Sequence, residues 1–141
     1  MSDSMIEQSA ARLFSENVDK ALLEKFETGA FPGQLWQLAV DSGFDVALAS
    51  EDSGGIGETW TAAYPILRGL GYWQVPLPLS ETMIAAMLLS MAGIERPEGP
   101  VTLIEQGIGN GLAVSGSGNA MKISGTAPRV PWARRCGATL V

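Results

Sequence analysis

Residues 80–93 read SETMIAAMLLSMAG and contain the clearest helix signal in the chain. Ser80 is a suitable N-terminal cap, the acidic Glu81 suits the first turn, and Gly93 is placed to end the helix. Apolar residues fall on nearly every side of the predicted turns. We therefore expect a helix over 80–92 that is buried on most sides.

Three methionines, Met83, Met87 and Met91, lie at four-residue spacing along this helix and form one stripe. Methionine adapts to irregular apolar pockets, so the stripe is one candidate binding surface. Apolar side chains at helical spacing are also typical of ordinary core packing, which is the simpler interpretation.

Three more helices are predicted before this one, because apolar residues recur at helical spacing. Gly43 is placed to end the second of them, and Pro65 inside the third predicts that the helix starts or kinks there. The apolar stretch 44–49 reads as strand-like, and residues 74–78 read as extended because two prolines follow one another closely. The three helices are expected at about 3–26, 33–42 and 58–72.

After Gly93 the pattern changes from helical to β. A polar linker over 94–100 is followed by four short apolar or alternating runs, separated by glycine, serine, asparagine and proline. This is typical of a β meander. The runs cover 101–104, 112–114, 121–124 and 138–141.

The predicted fold class is therefore α+β, with two units. An N-terminal all-α helical bundle domain is expected over 1–95, followed by the beginning of an antiparallel β domain over 96–141. A small, edge-exposed β unit of ~40 residues is marginally stable by itself. We expect either that the natural chain continues or that another subunit covers this sheet.

Charge divides at the same place. Over the 141 residues the net charge is −6, with −9 in residues 1–100 and +3 in residues 101–141. An acidic chain is a poor candidate for nucleic-acid binding, so no nucleic-acid partner is expected. Residues 1–7 are unlike a signal peptide, and the longest apolar run, 83–89, is far shorter than a membrane span. A cytoplasmic location with no membrane span is predicted.

Two residue counts exclude whole classes of site. The chain has no histidine and one cysteine, Cys136, among its 141 residues. Neither a Ser-His-Asp nor a Cys-His catalytic group can be built, and no Cys/His zinc site is predicted. Arg134 and Arg135 beside Cys136 could favour a thiolate or attract an anion, but an inert cysteine next to a solvated turn is the simpler interpretation.

Two glycine-rich segments are candidate backbone cradles. Residues 53–57, SGGIG, could hold a phosphate or form a plain turn; they lack the lysine that follows in a P-loop. Residues 106–111, QGIGNG, follow a predicted strand as in a dinucleotide-binding turn, but no helix comes next. A loop that touches a ligand and a simple β turn are the alternatives there.

Several segments taken in order resemble one family. Residues 35–44, LWQLAVDSGF, are similar to the second helix and exit turn of acyl-CoA dehydrogenases, and residues 50–57, SEDSGGIG, to their Pro-Glu-Glu-Tyr-Gly-Gly-x-Gly segment. Leu70-Gly71 with residues 75–82, VPLPLSET, resemble the helix–extended–helix passage that follows. The chain from about residue 10 to 141 thus resembles the N-terminal portion of an acyl-CoA dehydrogenase.

The β part carries the expected cofactor contacts. Residues 103–110, LIEQGIGN, resemble the family's flavin loop Leu-Thr-Glu-Pro-Gly-Ala-Gly-Ser, and residues 125–131, GTAPRVP, resemble Gly-Thr-Lys-x-Trp-Ile-Thr. Ile104 and Pro131 replace hydroxyl-bearing residues, so any contact from Ile104 must use the backbone. Arg129 is suited to stacking on a flavin or pairing with a phosphate. The resemblance implies FAD contacts from Leu103, Ile104, Gly109, Asn110, Arg129 and Pro131.

The resemblance also implies an activity. Acyl-CoA dehydrogenases oxidise an acyl-CoA at the α and β carbons: a glutamate removes the α proton and the flavin accepts the β hydride. That glutamate lies in a C-terminal helical domain that has no counterpart in this chain, so no catalytic residue is predicted here and the chain alone is expected to be inactive. The implied partners are a fatty or steroid acyl-CoA, an electron-transfer flavoprotein-type acceptor, and further subunits of a homo- or hetero-oligomer.

Two other functions are weighed against this one. The chain could be a non-catalytic partner subunit that completes a heteromeric acyl-CoA dehydrogenase, because side chains expected to contact the flavin are replaced. It could instead be an unrelated small helical binding module that uses the methionine stripe, in which case residues 1–95 should fold alone.

Overall fold

The fold is taken from a computed structural model that describes residues 3–105 and 111–141. It is a mixed α/β fold, in which a layer of helices is followed by short strands. The described residues form five α-helices: α1 Asp3–Asn17, α2 Lys20–Glu27, α3 Gly33–Asp41, α4 Trp60–Tyr72 and α5 Leu79–Ala92.

The single helix predicted over 3–26 is wrong, because the chain forms α1 and α2 with a break between them. Asp19 causes the break: its carboxylate accepts the backbone N–H of Leu22 at 2.8 Å and caps α2. Asn17 ends α1 by donating its side-chain amide to the carbonyl of Leu13 at 2.7 Å. Polar side chains that bond to nearby backbone thus overrule an apolar pattern that continues through them.

Residues 44–49 are not a strand. Gly43 ends α3 as predicted, with φ of 73°, and the chain then enters a 3₁₀ turn over Phe44–Val46. A second 3₁₀ turn covers Glu51–Ser53. A side chain at Gly55 would overlap the Ala49 carbonyl, so this tight reversal requires glycine.

Helix α4 begins well before its proline. Thr59 caps it by accepting the N–H of Ala62 at 3.2 Å, so the helix does not start at Pro65. The helix packs closely on α1, where a Cβ added to Gly69 would lie 2.9 Å from the Phe14 ring. The Phe14 ring also meets that of Phe44 edge-on, with centroids 6.3 Å apart.

Helix α5 is confirmed, but Ser80 is not its cap. The helix starts at Leu79 after Pro78, and the Ser80 hydroxyl donates to the Glu81 carboxylate at 2.8 Å. Gly93 ends the helix as predicted, with φ of 66°. No residue over 79–87 is exposed, as expected for a helix buried on most sides, and exposure is confined to Leu88, Met91 and Ala92 near the C-terminal end.

All four predicted strands form, but their pairing differs from a meander. β2 Ala113–Ser115 and β3 Lys122–Ser124 pair antiparallel, whereas β1 Val101–Leu103 and β4 Ala138–Leu140 pair parallel. The expectation of an antiparallel unit is therefore wrong for β1 and β4. The physical reason is that the long connection carrying the β2–β3 hairpin lets the chain return beside β1 in the same direction.

The core lies among the helices and receives β1. Val101 is buried in that strand, which packs against α5. The division into 1–95 and 96–141 stays a prediction, although contacts cross it. The buried core residues of the helical part include Ile6, Ala10, Phe14, Leu35, Ala39, Phe44, Ala63, Ile66, Leu79 and Met83.

Within residues 3–105 and 111–141, no helix has the length and apolar character to cross a membrane.

Candidate functional site

The candidate site is built on β1, which the buried Thr82 fixes to α5. The Thr82 hydroxyl accepts the N–H of Val101 at 3.0 Å and lies 2.7 Å from the Pro78 carbonyl and 3.1 Å from that of Val101. This hydroxyl thereby satisfies backbone groups of two elements at once, which a buried strand end requires. The strand that leads into the predicted flavin loop is thus hydrogen-bonded to α5.

The next residue, Thr102, joins the two segments that resemble flavin-contacting motifs. Its buried hydroxyl donates to the carbonyl of Pro131 at 2.5 Å. Leu103 and Ile104 follow it directly, so one end of the first segment lies beside the end of the second. No sequence pattern points to this role for Thr102.

The other ends of these segments also meet. The Gly111 N–H donates to the Thr126 carbonyl at 3.2 Å, and a side chain at Gly125 would overlap the Gly111 carbonyl. The glycine at 125 is therefore required by the close approach of two backbones. Residues 106–110, which include Gly109 and Asn110 and the QGIGNG turn motif, lie outside the described residues.

The four described members of the predicted FAD set occupy different environments. Leu103 and Ile104 are half-buried, and the Ile104 N–H donates to the carbonyl of Leu140 at 2.8 Å. Pro131 is exposed, while its carbonyl is taken by Thr102. Arg129 is exposed, has a left-handed backbone with φ of 57°, and forms no ion pair with any described residue.

These residues do not fit the polar contacts of a flavin ring. The Ile104 N–H is already donated within the sheet, its side chain has no hydroxyl, and Pro131 has no N–H. Arg129 keeps a cationic group that suits a phosphate. No chemical step through FAD is assigned to these positions.

Cys136 is in an environment that opposes a reactive thiolate. Burial raises the pKa of its thiol, and the nearby Glu81 carboxylate raises the pKa further. A raised thiol pKa lowers the thiolate fraction at neutral pH. The structure therefore favours the inert interpretation of this cysteine.

The segment before Cys136 is a tight turn that packs on α2. The N–H groups of Arg135 and Cys136 both donate to the Trp132 carbonyl, at 2.8 and 3.1 Å, and Trp132 itself has φ of 62°. The Trp132 ring lies against the ring of Phe26, with centroids 5.6 Å apart. Arg134 and Arg135 are exposed on this turn, as the solvated-turn interpretation expects.

The phosphate cradle considered for residues 53–57 is wrong. The N–H groups of Gly54, Gly55, Ile56 and Gly57 all donate to backbone carbonyls, at 2.8 to 3.2 Å. None of these four donors is left for an anion, so the segment is the plain turn that was the alternative.

The methionine stripe does not form one surface. Met83 is fully buried, Met87 is half-buried and Met91 is 77% exposed, so the stripe runs from the core into solvent. A cleft of about 440 Å³ lies at the C-terminal end of α5, the end that carries Met91. It is lined by other residues, among them Ala49, Leu89, Ser90 and Arg96.

Comparison with known proteins adds no relative. No family model matches the chain, no curated protein matches its sequence, and no solved structure matches its fold. The interpretation of the site therefore depends on the residues and contacts described above.

Proposed function

We propose that this chain forms the N-terminal helical part and the first β segment of an acyl-CoA dehydrogenase-like flavoprotein. The observation that carries the proposal is the Thr102–Pro131 hydrogen bond, which joins two segments that resemble the family's flavin motifs in the order the family has them. The Gly111–Thr126 bond supports it from the other end of the same segments.

In this proposal the chain has a structural role, and it contacts the cofactor only at a phosphate. The assembled enzyme takes an acyl-CoA and FAD, passes electrons to an electron-transfer flavoprotein-type acceptor, and works in the cytoplasm. The described residues supply the β1 scaffold and the Arg129 cation, which is suited to a phosphate of the cofactor. The base belongs to another part of the enzyme, so the chain alone is inactive.

A second candidate function is a non-catalytic partner subunit of a heteromeric acyl-CoA dehydrogenase. It is favoured by the fact that the Ile104 N–H and the Pro131 carbonyl are both engaged inside the chain. A subunit that lacks its own flavin-ring contacts can still complete the assembly by covering a neighbour.

The first test uses the purified 141-residue chain. We expect no acyl-CoA oxidation with an artificial electron acceptor, and turnover by this chain alone would contradict both candidates. The chain is then tagged in its source cells and captured. Both candidates expect an acyl-CoA-oxidising flavoprotein, yellow in visible absorbance, to come with it; a colourless chain with no such companion would contradict both.

The two candidates differ in what Arg129 does in the captured complex. If the chain contacts the cofactor, Arg129→Gln lowers the FAD content while Arg134→Gln, which removes a neighbouring exposed cation, leaves it unchanged. If the chain is a non-catalytic partner, both variants keep the full FAD content.

A further inference from the structure

The linker over 94–100 connects α5 to β1, and an ion pair from Arg96, within the linker, holds it against the helices. Arg96 donates through Nη1 to the Asp45 carboxylate at 2.9 Å, across 51 residues of sequence. At its start the Ile94 N–H donates to the Leu89 carbonyl, and at its end Pro100 accepts the Gly137 N–H. Between these points the described hydrogen bonds give the linker no other tie to the helices.

Asp45 is an unusual anchor because it is charged and buried. Its side chain is 2% exposed, whereas that of Arg96 is 33% exposed. A buried carboxylate needs a partner, since an uncompensated charge in the interior is costly. Asp45 lies in the 3₁₀ turn after Gly43, which packs against α5 and α3.

Arg96 is the charged group that acts directly on Asp45. On α3, the carboxylate of Asp41 accepts from the Gln37 side chain at 2.8 Å, and α5 carries Glu81 in its first turn. Other titratable groups on the neighbouring segments are Glu51, Asp52, Glu95, Glu98 and Glu58, whose backbone N–H donates to the Ala47 carbonyl at 2.8 Å.

Arg96 also forms one wall of the cleft of about 440 Å³ beside the linker. The lining of this cleft is mixed, with apolar Val46, Ala49 and Leu89 beside polar Asp52 and Ser90. Release of the linker would withdraw Ile94, Glu95 and Arg96 from this lining and open the cleft on that side.

We propose that the Arg96–Asp45 ion pair is a pH-sensitive latch, which holds the linker 94–100 on the helices at neutral pH and releases it when Asp45 is protonated. A neutral carboxyl group no longer attracts the guanidinium, so the middle of the linker loses its fastening. This device is independent of the proposed function, because it needs no substrate, cofactor or partner.

The direction of the titration favours a response in mild acid. Burial raises the pKa of Asp45 above its ordinary value of 3.8, and the Arg96 guanidinium offsets part of this rise. Protonation therefore begins at a less acidic pH than for an exposed aspartate.

The experiment measures the order of the linker amides by heteronuclear NOE in the full chain. In the native protein we expect ordered amides at Glu95, Arg96 and Glu98 at neutral pH and mobile ones once the Asp45 carboxyl signal has titrated. Asp45→Asn, which mimics the protonated form, should leave the linker mobile at both pH values. Arg12→Gln breaks the exposed Arg12–Glu16 pair and serves as the matched control that behaves as the native protein.

A glutamate-specific protease gives the size of the effect. We expect Asp45→Asn to be cut after Glu95 or Glu98 about tenfold faster than the native chain or Arg12→Gln at neutral pH, as loss of one charge-assisted hydrogen bond implies. Unchanged cleavage, or linker amides as ordered in Asp45→Asn as in the native chain, would overturn the proposal. Because the native protein is also followed through its own titration, a variant that fails to fold does not remove the test: linker order that ignores the Asp45 titration overturns it too.

Discussion

The helical part and the β part of this chain differ in how far their large apolar side chains are buried. In the helices, large side chains such as Phe14, Leu35 and Ile66 pack among apolar residues of the helical part itself and are almost fully buried. In the hairpin, Val114, paired across the strands with Ile123, is exposed, and so is Ile123. The difference teaches that the helical sequence carries its own core, whereas the hairpin has an apolar face that nothing in the described chain covers.

The largest expected loss of stability comes from a cavity in the core of the helical part. Phe14→Ala removes a ring that packs on Phe44 and against Gly69, and large-to-small changes at such sites cost about 3–5 kcal/mol. Ile123→Ala, at 52% exposure in the hairpin, should change the free energy of unfolding by less than about 0.5 kcal/mol. Chemical denaturation of both variants checks this; equal losses would erase the contrast between the two parts.

The next largest effect is expected when the hydrogen bond between α5 and β1 is removed. Thr82→Val keeps the shape of the side chain but removes the hydroxyl that accepts the Val101 N–H. A buried backbone donor left without a partner costs about 1–3 kcal/mol. Amide exchange at Val101 should become faster, while Thr61→Val on the exposed side of α4 should leave it unchanged. Native protection at Val101 in Thr82→Val would show that β1 is held by packing alone.

A smaller effect tests the break between α1 and α2. Asp19→Ala removes the side chain that caps α2, which should lower the free energy of unfolding by about 1 kcal/mol. Asp52→Ala, on an exposed turn, is the comparison. A loss of stability that is the same in both variants would mean that the cap contributes nothing beyond the removed charge.

The smallest effect is the pH dependence that Asp45 contributes. Because its pKa is raised in the folded state, the folded chain binds more protons than the unfolded chain between the ordinary pKa of 3.8 and the folded one. This part of the stability is therefore full at low pH and is lost as the pH rises through that window. We expect the unfolding free energy of the native chain, minus that of Asp45→Asn, to fall across the window and then level off. A difference that rises with pH would reverse the assigned direction.

Local chemistry explains which elements were predictable. The glycines at 43 and 93 end their helices as expected, because a left-handed backbone at a helix end is a local preference. The break at Asp19 has an equally local signal, an aspartate that can cap, but the apolar pattern running through it concealed the break. For the candidate site, the resemblance named segments whose ends meet, yet it missed Thr82 and Thr102, because a buried threonine that bonds to a distant carbonyl has no sequence neighbour that reveals it.

By itself, the sequence determined helices α3, α4 and α5, the change to β structure after residue 93 and the positions of all four short strands. These depend on periodicity and on residues that start or end an element, which act over a few positions. Only the tertiary structure decided that β4 runs parallel to β1, that Arg96 reaches Asp45 and that the backbone donors at 54–57 are already used. Each of these joins groups far apart along the chain or fixes where a backbone donor points, and such partners are set by the packing of the whole chain rather than by local preference.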